Sequence, residues 1–241
     1  MTADSRSPAG QSLASRLFLY LLFTASGFAA LVYQVVWQRS LYAIYGINVE
    51  SVTMIVSAFM LGLGLGSLGG GAISKDPKRP TLLLFATVEL VIGVFGYFSL
   101  DFFAAVGKVT LGMNTLGTGL VTFALVLVPT LMMGATLPLL VSYLVRSSKN
   151  VGKSVGTLYF VNTLGSAFAS AASVTLLLPH EGQRGSVHIA AICNLAISAV
   201  VYVMHRLTKS AAAETPPEKA PVAEAPAKDA APDSGPAEVS R

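Results

Sequence analysis

Within the apolar stretch Ala58-Phe-Met-Leu-Gly-Leu-Gly-Leu-Gly-Ser-Leu-Gly-Gly-Gly-Ala72, glycine recurs at Gly62, Gly66 and Gly70, and the run ends on the basic cluster Lys75, Lys78 and Arg79. In water, each glycine inside a helix costs about 1 kcal/mol relative to alanine. In a bilayer the backbone has no water to bond instead, so the segment stays helical. Glycines four residues apart then share one face and let another helix approach closely. The flanking basic cluster adds a direction, because Lys and Arg concentrate in cytoplasmic loops. This one segment therefore predicts a membrane span, a packing face and an orientation.

Composition extends the argument to the whole chain. Of 241 residues, 53% are hydrophobic and 12% charged, with a mean hydropathy of +0.66. Soluble domains carry roughly 25% charged residues. The expected fold class is all-α, a polytopic membrane helix bundle. The net charge of +4 does not point to nucleic acid, because the basic residues sit at the ends of apolar runs and form no single patch. A lone Cys193 can form no intrachain disulfide.

Six spans are expected, at about 17–37, 52–74, 81–100, 117–145, 156–178 and 186–204. The first resembles a signal peptide at its start, but its apolar run is long enough to be read as an uncleaved span. With the N-terminus inside, ten basic residues lie on the inner side, among them Arg16, Arg146, Lys149 and Lys153. Only Arg39, Lys108 and Arg184 lie outside. The expected location is a bacterial inner membrane, crossed several times, with both termini cytoplasmic. Residues 1–15 form a cytoplasmic N-terminal segment, 16–207 the transmembrane domain, and 208–241 an Ala/Pro/Glu/Lys-rich tail expected to be disordered. Residues 101–116 are too polar to cross and are expected to form an interfacial helix or a re-entrant segment. Pro129 and Pro138 should tilt, kink or break the long fourth span. Equal halves of three spans have opposite orientations, which predicts a 3+3 inverted repeat. In that arrangement the glycine face of the second span is expected to pack on the small-residue face of the fifth, from Gly156 through Gly165 to Ala172.

Several polar residues stand out in these spans. Ser26, Ala30, Gln34 and Gln38 repeat every four residues along one face of the first helix, with Tyr33 and Trp37 on the adjoining stripe. Two readings are open: an aromatic belt at the outer interface with Arg39 at the headgroups, or a polar stripe turned inward. Glu89 is an acidic residue deep in a span, where a carboxyl group faces the bundle interior and usually has a function. Gln34, Asn162 and Tyr159 are its candidate partners. Asn162 is either packing glue or a site residue. His180, Glu181, Arg184 and His188 match no zinc pattern, so no metal is expected. Gly69-Gly-Gly71 lies in a span and is no nucleotide-binding turn, and no cofactor is expected.

Three segments together carry a resemblance. Ser26-Gly-Phe-Ala-Ala-Leu-Val-Tyr-Gln-Val-Val-Trp-Gln-Arg39, Ala58-Phe-Met-Leu-Gly-Leu-Gly-Leu-Gly-Ser67, and Met133-Gly-Ala-Thr-Leu-Pro-Leu-Leu140 with Gly156-Thr-Leu-Tyr-Phe-Val-Asn-Thr-Leu-Gly165 resemble the membrane region of bacterial spermidine synthase-like (polyamine aminopropyltransferase-like) membrane proteins. In that family the spans commonly accompany a soluble aminopropyltransferase-like domain. Here only the tail follows the sixth span, so no catalytic residue is expected in this chain. Six such spans also resemble half of a major-facilitator transporter.

The resemblance implies a non-catalytic membrane module, a membrane partner or carrier for a polyamine or other cationic metabolite. Glu89, Gln34, Gln38, Tyr33 and Asn162 are its candidate binding residues. The alternatives are the membrane subunit of a split aminopropyltransferase and a structural assembly subunit. Expected partners are the lipid bilayer and either a soluble aminopropyltransferase-like protein or a second copy of the chain.

Overall fold

The structure is a computed structural model that describes residues 13–46, 49–110 and 112–214; Arg6 and the tail beyond Glu214 lie outside the described residues. Six α-helices follow one another: α1 (Leu13–Tyr45), α2 (Val49–Ser74), α3 (Thr81–Thr110), α4 (Thr115–Ser148), α5 (Val151–Ala172) and α6 (Leu178–Glu214). A five-residue π-helical turn, Ser173–Leu177, joins the last two. No strand occurs among the described residues. Five helical stretches are long and apolar enough to cross a membrane, where the sequence predicted six. The difference lies at the end of the chain. Val151–Leu207 forms one 57-residue stretch, because the connection between α5 and α6 stays helical. Its break in helical geometry is Gly182, at φ 65° and ψ −171°.

Three further expectations change. The segment expected at the interface begins as the end of α3, which runs on to Thr110. Phe103 in this extension is fully buried, and its ring lies 5.8 Å from that of Trp37. Thr110 returns its hydroxyl to the Val106 and Gly107 carbonyls, each at 3.1 Å. Packing thus extends a helix that polarity alone would end. Next, of the tilt, kink or break expected at Pro129 and Pro138, the break does not occur, since α4 is helical through both. Each proline removes the bond to the carbonyl four residues back, of Leu125 and Gly134; the nearby threonines bond other carbonyls of the same helix, Thr130 Oγ1 those of Val126 and Leu127 at 2.9 Å and Thr136 Oγ1 that of Met133 at 2.7 Å. Finally, α6 remains helical to Glu214, so the first residues of the expected tail belong to a helix.

The principal packing pairs are α2 with α4, α1 with α5, and α3 with α6; α3 also packs on α4, and α1 on α6. The partner of the glycine face is therefore α4, not α5. Between residues 61 and 70 only Gly62, Gly66 and Gly70 are buried. A Cβ at Gly62 would strike the Thr130 side chain, at Gly66 the Leu131 carbonyl, and at Gly70 the Ala135 backbone at 2.8 Å. The fit is reciprocal, because a Cβ at Gly134 would strike the Leu63 backbone. The small-residue face of α5 instead meets α1. Gly165 sits against the Thr24 carbonyl, and Ser166 Oγ donates to the Gly27 carbonyl at 3.1 Å. Gly156 packs against nothing within 4 Å, so it is no part of a helix contact.

The basic residues gather at the two ends of the bundle. At one end the Arg146 guanidinium donates to the backbone carbonyls of Asp76, Pro77 and Arg79 at 3.0–3.1 Å, tying α4 to the α2–α3 connection. At the other end Arg184 of α6 forms a bidentate pair with Asp101 of α3, at 2.6 and 2.9 Å.

Gly66→Leu should lower stability by about 2 kcal/mol or more, because a large side chain is forced against a backbone that cannot yield. Gly156→Ala should be neutral. Thermal midpoints in detergent, followed by circular dichroism, check the contrast.

Candidate functional site

At the centre of the bundle lies a cavity of about 280 Å³ to which all six helices contribute. Its polar lining follows from spacing along individual helices. Ser26 and Gln34 come from the four-residue stripe of α1, with Ala30 between them. Tyr159, Asn162 and Ser166, three and four residues apart, come from one face of α5. Thr136 of α4, Ser67 of α2 and Asn194 of α6 complete the polar wall, while Phe59, Leu63, Ile92 and Met133 supply apolar surface. Among the described residues no Lys, Arg, Asp or Glu lines the cavity. The glycine face of α2 takes no part in this cavity: α2 reaches it through Phe59, Leu63 and Ser67, and α5 through Tyr159, Asn162 and Ser166.

Glu89 stands directly behind that wall. It is fully buried, and both of its oxygens are engaged by residues that line the cavity. Ser26 Oγ donates to Oε1 at 2.6 Å, and Asn194 Nδ2 donates to Oε2. Its partners are thus Ser26 and Asn194, not the expected Gln34, Asn162 or Tyr159. Asn194 was missed by sequence reasoning. The available signal was an amide in the middle of the sixth span, at a position where only an apolar or small residue is inexpensive. Its other amide atom, Oδ1, is buried without a hydrogen-bond partner. Ser198, one turn further along α6, donates to the Ala86 carbonyl at 2.7 Å. The α3–α6 contact is therefore a polar seam with a carboxyl group at its centre.

The remaining expected site residues are distributed differently. Asn162 lines the cavity and its Nδ2 lies 3.5 Å from the Phe23 carbonyl. Gln38 does not reach the lining, and its amide donates to the Tyr42 hydroxyl. Tyr33 is fully buried outside the cavity, its ring packed where a Cβ on Gly96 would lie. Trp37 is fully buried too, stacked on Tyr33 at 4.8 Å between ring centres, with its Nε1 donating to Ser99 Oγ at 2.8 Å. The aromatic-belt reading of this stripe is therefore wrong. The rings form the core between α1 and α3, and Arg39 alone of that stretch is exposed at the helix surface. Interhelical hydrogen bonding explains the difference, because the Trp37 indole N–H finds Ser99 inside the bundle and needs no headgroup.

His180, Glu181 and His188 do not converge, and no group of three or more His, Cys, Asp or Glu that could hold a metal occurs among the described residues. His188 stacks on Tyr97 at 4.3 Å. Comparison with family models, with curated proteins and with solved structures gave no match. The resemblance to spermidine synthase-like proteins rests on its residues alone.

Trp37 is the sole tryptophan. Its fluorescence should be blue-shifted and resist quenching by iodide in detergent and in vesicles. A red-shifted, quenchable emission would place it at the interface.

Proposed function

We propose that this chain is a six-span membrane module that binds a small, donor-bearing solute, of the class of an organic amine, in its central cavity. It acts as a carrier of that solute or as the membrane partner of a protein that uses it. The observation that carries this reading is Asn194: its amide nitrogen is held by the buried Glu89 carboxyl, while its Oδ1, in a residue of the cavity wall, has no donor. A buried acceptor left unpaired costs about 1–3 kcal/mol, and a ligand N–H would recover it. Gln34, Asn162 and Ser166 add further polar groups around the same space. No cation in the lining opposes an ammonium group, and the carboxyl group behind the wall favours one. A polyamine, which the family resemblance implies, matches this chemistry.

The six-span topology is supported by the break at Gly182. A straight helix of 57 residues would be about 86 Å long, against a hydrocarbon core of about 30 Å. Both α5 and α6 pack on α1, which requires the chain to double back between them. The pairing also supports a 3+3 inverted repeat. Exchanging α1 with α4, α2 with α5 and α3 with α6 turns the α2–α4 pair into α5–α1 and the α3–α4 pair into α6–α1, and leaves α3–α6 unchanged.

Purified protein in proteoliposomes should take up or retain labelled spermidine or putrescine saturably. Glu89→Gln and Asn194→Ala should each weaken this about tenfold, the scale of one hydrogen bond to a charged group. If wild type binds neither amine, or Glu89→Gln leaves binding intact, the reading fails.

A further inference from the structure

A second cavity, of about 220 Å³, lies where α1 begins and α4 passes into α5. It shares no lining residue with the central one. Arg16 and Tyr20 enter it from α1, Ser148 from the end of α4, Asn150 from the connection, and Lys153 and Ser154 from the first turn of α5. No acidic residue lines it among the described residues. Neither Arg16 nor Lys153 takes part in an ion pair among the described residues. Arg16 Nε is buried and has no hydrogen-bond partner among the described residues. At the same end of the bundle, the Arg146 guanidinium donates to three backbone carbonyls. A buried guanidinium nitrogen normally has an acceptor, so the contrast marks Arg16 as waiting for one.

The surroundings define what that acceptor is. The Asn150 side chain caps α5, accepting from the Lys153 backbone N–H at 2.9 Å, and so sets the positive end of the helix beside both cations. The Ser148 and Ser154 hydroxyls lie 3.0 Å apart in the wall. A guanidinium fork, an ammonium group and hydroxyls converging from different helices suit an anion with several oxygens, and phosphate above all. Basic pockets between helices at a membrane face hold phospholipid headgroups by the same chemistry. Leu13, Leu17 and Leu21, four residues apart on α1, are 73%, 52% and 67% exposed, and they set an acyl-facing surface on the helix that carries Arg16.

We propose that Arg16 and Lys153 form a phosphate-binding site, occupied by the phosphate of an anionic phospholipid headgroup or by a free phosphate group. Arg16 supplies the directional donors, and Lys153 supplies a second positive charge in the same lining.

The test uses the full chain purified in a neutral detergent. Native mass spectrometry measures retention of phosphatidylglycerol against phosphatidylcholine, and thermal shift measures stabilisation by millimolar inorganic phosphate without lipid. Selective retention of phosphatidylglycerol identifies the headgroup as the source, and stabilisation by phosphate alone identifies a soluble ligand. In either case Arg16→Gln with Lys153→Gln should weaken binding about tenfold or more, and Arg16→Lys should recover only part of it, because the fork is lost. If the double variant does not fold, Arg16→Gln alone is compared in the same way. Binding of both probes that is unchanged by these substitutions, or binding of neither probe by wild type, overturns the proposal. The spermidine assay is unaffected by this outcome, so the two sites fail or stand separately.

Discussion

The close approach of α2 and α4 is the contact on which the rest of the bundle depends. Gly62, Gly66 and Gly70 on one helix and Gly134 on the other bring two backbones together at distances that no side chain tolerates. In lipid the hydrophobic effect gives little reason for two apolar helices to associate, so van der Waals contact and interhelical hydrogen bonds must supply it. Glycine maximises the first. Thr130 assists with the second, since its hydroxyl bonds the carbonyls of its own turn and lies 3.4 Å from the Ala58 carbonyl across the interface. The matching contact on the other side of the bundle is α1 with α5, where Gly165 and Ser166 meet the backbone of Thr24 and Gly27.

Between those two tight pairs the helices diverge, and the central cavity fills the gap. Ser67 and Leu63 of α2 and Tyr159 and Asn162 of α5 all line it. The third pair, α3 with α6, is held by polar atoms: Glu89 between Ser26 and Asn194, and Ser198 on the Ala86 carbonyl. A buried carboxyl group is tolerated where such donors satisfy both oxygens. The same donors belong to residues of the cavity wall, so the group that holds the seam also influences the chemistry of the cavity.

Much of this was legible in particular residues. The apolar runs predicted a helical membrane protein, the position of Glu89 predicted a buried polar centre, and the spacing of Ser26, Ala30, Gln34 and Gln38 left an inward stripe as one of two readings, of which the first three residues reach the cavity. Other inferences failed for local reasons. Trp37 looks like an interfacial residue from its place near Arg39, but an indole is equally satisfied by one hydroxyl inside a bundle, and Ser99 is 62 residues away. Residues 101–110 read as a segment apart from the third span, yet they continue α3, with Asp101 paired with Arg184 of another helix and Phe103 packed on the Trp37 core. Asn194 carried only the weak signal of one amide in an apolar run.

The sequence by itself determined that the chain is helical and apolar enough to cross a membrane, and where its close-packing glycines lie, because these properties follow from composition and spacing along a single helix. Only the tertiary structure decided that the glycines meet α4, that Glu89 is held by Ser26 and Asn194, and that α5 packs on α1 and, with α2, lines a cavity. Spacing specifies which residues share a face but not which helix that face meets. The choice depends on the fit of surfaces distant in sequence, and in lipid many small-residue faces are locally equivalent until the whole bundle is assembled.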